Sequence, residues 1–313
     1  MHILAAVTTL LTSVAPGLRT TPLPTEAPFP AALPLPWGAT GHELAARVAV
    51  AHIPDSVPRF FRDASDQLVY LDPEPDRWRS RGLVAMDHAF SYDHFIDLEN
   101  VPKGALDAPD RFAYMDLLYK DGIDHPAQKC GLLPYRIMEI YERLVTEWRL
   151  WRAERDTQRR SWIQQRIIND AGILGHYVTD ASNPHHTTIN YNGWAEGVPN
   201  PNGYTTDRHF HYRFETAFVE AHVHLQDVSS RVTGPPESVV GHVHQAVMNE
   251  ILASHAQVDT LYRLDKELGF NPDGPADPRT VAFAADRLAA GARMLSTLWW
   301  SAWLESASPA GSR

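Results

Sequence analysis

The sequence predicts an all-α fold, a single-domain helical bundle interrupted by long loops. Three observations lead there. Apolar residues recur at helical spacing through several long segments. Period-two alternation bounded by turn signals, the mark of strands, is nearly absent. No segment repeats another. With 313 residues, 44% of them hydrophobic, the chain can bury a sizeable core.

The elements follow in chain order. Ile3 to Val14 is a largely apolar run, too short to span a bilayer and of the length of a signal-peptide core, although no Lys or Arg precedes it. It predicts export to the periplasm or medium; a disordered apolar tail or a misplaced start is the alternative. Residues 16–36 are proline-rich and cannot hold a helix for long, so they read as a leader or linker. The expected division is therefore 1–36, signal peptide and leader, and 37–313, the folded domain. In "GHELAARVAVAHI", Leu44, Val48 and His52 step by four. "YRIMEIYERLVTEWRLWRAE" carries Ile137, Ile140, Leu144 and Trp148, and "SWIQQRIINDAGILGHYVTDAS" carries Ile163, Ile167, Ile168 and Leu174, each at helix spacing. "RHFHYRFETAFVEAHVHLQDV" and "VAFAADRLAAGARMLSTLWWSAWL" complete the long helices, the last as a packed terminal helix. Two pieces read as irregular, about 71–133 and 190–207; long loops in a compact domain more often carry function than fill space.

The formal charge of −10 argues against whole-surface attraction to nucleic acid or anionic membrane, so an anionic ligand needs locally positive charge. Cys130 is the sole cysteine, which excludes an internal disulfide.

Histidines stand near carboxylates at several places. His176 and Asp180 are four apart, on one helix face with Cβ atoms about 6 Å from each other. That suits two ligands of one ion held at about 2 Å each. Pro184 ends or kinks the helix, so His186 leaves the axis and can serve a neighbouring ion. His211 and Glu215 form a second i, i+4 pair, while His209 points about 200° away from His211 on a helix. "DHFID" places His94 ahead of Phe95 and Asp97, and Asp76 precedes Arg79 by three, a carboxylate for a metal and a guanidinium for phosphate. Trp37 opens the body and His42 follows five residues later. Each motif alone is also what a solvated helix pair, a core anchor or a surface ion pair looks like.

Together and in order they resemble the zinc-dependent phospholipase C / single-strand-specific nuclease family. The matches are Trp-Gly-x-x-Gly-His at 37–42, Asp-x-x-Arg at 76–79, His-Phe-Ile-Asp at 94–97, His-x3-Asp-x5-His at 176–186 and His-x3-Glu at 211–215. The resemblance implies a trinuclear zinc cleft: one Zn²⁺ on Asp76, His94, His176 and Asp180; a second on the Trp37 backbone, His42 and Asp180, which bridges; a third on His186, His211 and Glu215. It further implies hydrolysis of a phosphodiester by a hydroxide bridging the paired ions, with Asp76 orienting or deprotonating it and Arg79 steadying the phosphate. Three Zn²⁺ bring +6 against the −3 of Asp76, Asp180 and Glu215, a cationic pit in an anionic protein. In the family the mature N-terminal amine of the Trp is itself a ligand. Here that requires cleavage after Pro36, which signal peptidase does not favour. A second protease, or coordination through the Trp37 carbonyl alone, are the two routes. His185, His222, His224, His242 and His244 fall outside the pattern.

For the substrate, "WGATGH" and "HFID" are similar to the nuclease branch, with Phe95 stacking a base and Asp97 bonding its edge. "FHYRFE" is closer to the phospholipases. The expected substrate is single-stranded nucleic acid, with a phospholipid as the alternative and a catalytically silent zinc-stabilised binding module as a second alternative. No stable protein partner is implied, and the expected state is a monomer.

Overall fold

The computed structural model describes residues 38–79 and 82–308. The leader segment 1–36 and Trp37 lie outside the described residues. The described chain is all-helical. Its only β-pairing among those residues is an isolated bridge between Ile96 and Gly131.

Seven helices carry the core: α1 (Ala39–Ala51), α2 (Ser65–Leu71), α3 (Leu133–Ala153), α4 (Thr157–Ser182), α5 (Val243–His255), α6 (Val258–Leu268) and α7 (Pro278–Glu305). The central one is α4. Asp156 caps its start, accepting from the Arg159 N–H at 2.8 Å. From Asp170 to Ser182 every residue is buried, as in a helix covered on all sides. The covers are α1, α2, α3, α5 and α7. Close approach of α2 depends on two glycines: a Cβ at Gly172 would lie 2.4 Å from the Leu71 Cβ, and one at Gly175 would lie 2.1 Å from the Asp72 Oδ2.

The apolar stripe of α3, Ile137, Ile140, Leu144 and Trp148, is buried. Trp148 meets Trp303 of α7 edge-on at 5.0 Å and packs against Phe60 and Phe61. Asp277 caps α7 through the Arg279 N–H at 2.9 Å, with Pro278 in the first turn where a missing N–H costs nothing. The Trp299 indole N–H donates to the Ala171 carbonyl of α4 at 3.1 Å, so the aromatic terminal helix is pinned to the central one. No described helix is long and apolar enough to cross a membrane.

Two expectations need correction. Residues 71–133 are not one irregular piece. They hold short helices at Glu74–Arg77, Val84–Phe90, Ser91–His94, Arg111–Lys120 and Pro126–Cys130. Proline in the first turn starts Glu74–Arg77 and Pro126–Cys130, and Asp110 caps Arg111–Lys120; most of the five are too short to show a period. The run from 208 to 228 is not one helix. Phe210–Tyr212 leads into a π-helical stretch, Arg213–Phe218, then Val219–His222, and Val223 and His224 are extended before Leu225–Ser229. Helices α5 and α6 were not singled out in the sequence, although Val258, Leu261 and Tyr262 of α6 recur at helical spacing and are buried.

Candidate metal centre

Four structural pieces converge beside the buried end of α4. Helix α1 brings His42, the turn Glu74–Arg77 brings Asp76, the 3₁₀ turn Ser91–His94 brings His94, and α4 brings His176 and Asp180. After α4 the backbone becomes extended at Asn183, and Pro184 opens a 3₁₀ turn to Thr187 that carries His186. The π stretch carries Glu215, next to His211. All these ligand candidates except His211 are buried, and His211 is largely so.

Among the described residues, three groups have one ligand atom each within 4.8 Å of one another: His42, His176 and Asp180; Asp76, His94 and His176; His186, His211 and Glu215. Every described residue that the sequence nominated as a ligand belongs to one of them. Asp180 is the hinge of the arrangement. Its Oδ2 lies 3.0 Å from His94 Nδ1 and 3.3 Å from His176 Nε2. Its Oδ1 lies 3.6 Å from His42 Nε2 and 3.7 Å from His186 Nδ1. Asp76 Oδ1 stands 3.8 Å from both His94 Nδ1 and His176 Nε2. In the third group, His186 Nε2 is 3.4 Å from Glu215 Oε2 and 3.2 Å from His211 Nε2, and His211 Nε2 is 2.6 Å from Glu215 Oε2.

These separations fit zinc. Ligands at about 2.0–2.1 Å around a tetrahedral ion are roughly 3.3 Å from each other. Most pairs above lie near that value; the 2.6 Å contact of His211 with Glu215 is a charge-assisted hydrogen bond that an inserted ion would open. Asp180 Oδ1 has no hydrogen-bond partner although it is fully buried, an orphan that a cation between it and His42 would satisfy. The donor set of imidazole and carboxylate is the one Zn²⁺ takes.

The outer contacts aim the rings. His186 donates from Nδ1 to the His94 carbonyl at 2.6 Å, which leaves Nε2 to face Glu215 and His211. Asn183 donates to Glu215 Oε2 at 2.8 Å. His42 donates from Nδ1 to Asp72 Oδ1 at 2.9 Å. The rings of His42 and His176 stack at 4.1 Å. Asp93, beside His94, is buried between Arg111 and Arg136 at 3.1 and 3.4 Å.

Electrostatics sort the groups. Burial pushes the Asp180 carboxyl up, but His186, His176 and His94 outweigh it and hold it far below the carboxylate range. Burial and the Asp180 charge raise Asp76 to about 8. Burial lowers His94 to about 4 and drives His176 well below its ordinary value, so both rings present lone pairs at neutral pH and a metal need not displace protons from them. His186 is raised to about 9: burial lowers it, and Asp180 with Glu215 more than reverses that.

The other nominated residues are placed as follows. Arg79 is exposed, with its guanidinium 3.6 Å from Asp76 Oδ1. Phe95 is half-buried with an extended backbone, and Asp97 is buried, Oδ1 lacking a partner; burial and Glu99 raise Asp97 to about 7. Neither joins a ligand group. His185 is buried among Phe210, Phe214 and Tyr262, with its ring 4.7 Å from that of His211, yet it joins no group either. His209 stands just before Phe210–Tyr212 without a side-chain capping bond, and is exposed. Asp72, Asn183 and Asp93 escaped the sequence reading. Asn183 could have been suspected from its place before Pro184, and Asp93 from opening "DHFID"; Asp72 carries no motif.

No family model and no curated protein matches the chain. Among solved structures, the alpha toxin from Clostridium absonum is similar at 11% identity and a TM-score of 0.39, over 88% of this chain and 66% of the toxin's. The chain thus spans just under two thirds of that protein's length. A likeness so slight bears no weight on activity, which rests on the geometry above.

Proposed function

We propose that the chain is a zinc-dependent phosphodiesterase acting first on single-stranded nucleic acid. The observation that carries this is the division of Asp180 between two sets of imidazoles, with the group of His186, His211 and Glu215 alongside. Asp76, His94, His176 and Asp180 would hold one ion, His42 and Asp180 a second, and His186, His211 and Glu215 a third. When bound, closely spaced zinc ions lower the pKa of water and stabilise both the attacking and leaving oxygens of an in-line displacement at phosphorus.

The chain's own groups do the rest. Arg79, exposed beside Asp76, pairs with a phosphate oxygen. Asp76 has one oxygen toward the imidazoles and Arg79; with a cation beside it to bring its carboxyl down from about 8, it would orient the attacking water and accept its proton. The half-buried Phe95 stacks a base, and the unpartnered Asp97 oxygen accepts from the base edge. The nuclease preference draws on the resemblance of "WGATGH" and "HFID" to that branch.

Phospholipase C is the second reading. It is favoured by "FHYRFE" and by the exposed Leu83, Val84 and Met86 on the segment between Asp76 and His94, which would suit a lipid surface. Purified zinc-loaded protein is to be assayed on single-stranded DNA, RNA and phosphatidylcholine, with and without chelator. Chelator-sensitive turnover of DNA or RNA is expected. Turnover of phosphatidylcholine alone selects the second reading, and zinc-replete protein that turns over none of them is a binding module.

A further inference from the structure

We propose that Asp72 is a positioning residue that commits His42 to binding metal through Nε2; the proposal rests on the metal reading above. His42 and Asp72 are both fully buried, thirty residues apart. The imidazole N–H at Nδ1 donates to Asp72 Oδ1 at 2.9 Å. The opposite nitrogen, Nε2, faces Asp180 Oδ1 at 3.6 Å. An imidazole that binds metal is neutral and keeps one N–H; the carboxylate holds it at Nδ1, so the lone pair offered to the metal lies at Nε2. The stacked His176 ring, 12° from parallel, fixes the plane in which this happens.

Stability alone does not account for Asp72. Its second oxygen, Oδ2, is buried without a hydrogen-bond partner. A carboxylate desolvated for a single hydrogen bond costs free energy that an apolar side chain at the end of α2 would not. The fold also makes room for it. Gly175 of α4 leaves the space that Oδ2 occupies, and a Cβ there would come within 2.1 Å of that oxygen. Asp72 and Gly175 are thus one device: the carboxylate aims His42, and the missing side chain lets it approach.

The test compares wild type with Asp72→Ala, Asp72→Asn, Gly175→Ala and Gly172→Ala. Zinc is measured by elemental analysis and by competition with a chromophoric chelator; the His42 tautomer is read from ¹⁵N chemical shifts. Asp72→Ala and Gly175→Ala are expected to weaken one zinc by about 10–100-fold, the usual effect of losing an outer partner, and to move the N–H off Nδ1. Asp72→Asn falls between, because its amide carbonyl still accepts. Gly172→Ala crowds Leu71 at the same α2–α4 contact without touching Asp72, so it lowers thermal stability and leaves zinc affinity and tautomer alone. Unchanged zinc affinity and tautomer in Asp72→Ala, or an equal zinc loss in Gly172→Ala, overturns the proposal. Wild type that binds no zinc overturns the metal reading and this proposal with it, whereas zinc-replete wild type beside an unaffected Asp72→Ala overturns the proposal alone.

Discussion

His94 and His186 lock each other in place across two ligand groups: the His186 imidazole donates to the His94 carbonyl at 2.6 Å, and the His186 carbonyl accepts from the Ile96 N–H at 2.8 Å. One residue belongs with Asp76 and His176, the other with His211 and Glu215. The groups are therefore built as a unit, and disturbing one is felt by the other.

Metal removal is the first consequence. Without a cation, burial and the charge of Asp180 make the ionised form of Asp76 unfavourable and raise it to about 8. Dialysis against chelator should lower the melting temperature, and stoichiometric Zn²⁺ should restore it. Elemental analysis of the reloaded protein is expected to give three zinc ions per chain. A melting temperature indifferent to both treatments contradicts the site.

Asp180→Ala removes the carboxylate shared by His42, His94, His176 and His186. Zinc content should fall by at least one ion. Turnover of a phosphodiester should drop by on the order of 10²–10³ or more, as when a preorganised electrostatic element is lost. Circular dichroism checks that the helices persist. Full zinc content with full turnover would remove Asp180 from the mechanism.

Phe95→Ala tests base recognition. Stacking contributes about 1–3 kcal/mol per base, so KM on single-stranded DNA should rise while bis(p-nitrophenyl) phosphate, which has no base, is hydrolysed as before. Asp97→Asn is expected to alter preference among bases with little effect on the base-free diester. Equal losses on both substrates would make Phe95 structural.

A pH effect arises away from the metal centre. Glu147 of α3 is buried against Asp170 of α4, with Arg166 3.7 Å away, and burial together with the Asp170 charge raises it from 4.5 to about 7. The folded state therefore prefers the protonated form. Its contribution to stability is complete below about 4.5 and is lost as the pH rises through about 7. Glu147→Gln stays neutral, so it should match wild type near pH 4 and melt higher than wild type at pH 8. Parallel melting curves for the two proteins across that range would refute the assignment.

Export is tested by mass spectrometry of protein recovered from the medium or periplasm of an expressing host. The expected product lacks the apolar run Ile3–Val14. An N-terminus at Trp37 would supply the α-amine that the family resemblance calls for, whereas one upstream leaves the Trp37 carbonyl.

What the sequence determined by itself was local. The i, i+4 spacing of His176 with Asp180 and of His211 with Glu215 brings each pair to one face once its segment is helical, and Pro184 ends the helix by its own chemistry. The long amphipathic helices were legible for the same reason, since their period is written in consecutive residues. Tertiary structure decided what depends on distant segments meeting. Asp72 reaches His42 because α2 rests on Gly172 and Gly175 of α4, and no spacing announces a contact set by packing. The π turn at Arg213–Phe218 and the short helices of 71–133 form from packing and caps over too few residues for periodicity to register. The sharing of Asp180 among four imidazoles is likewise a property of the folded chain, because only burial of α4 on every side brings those rings to one carboxylate.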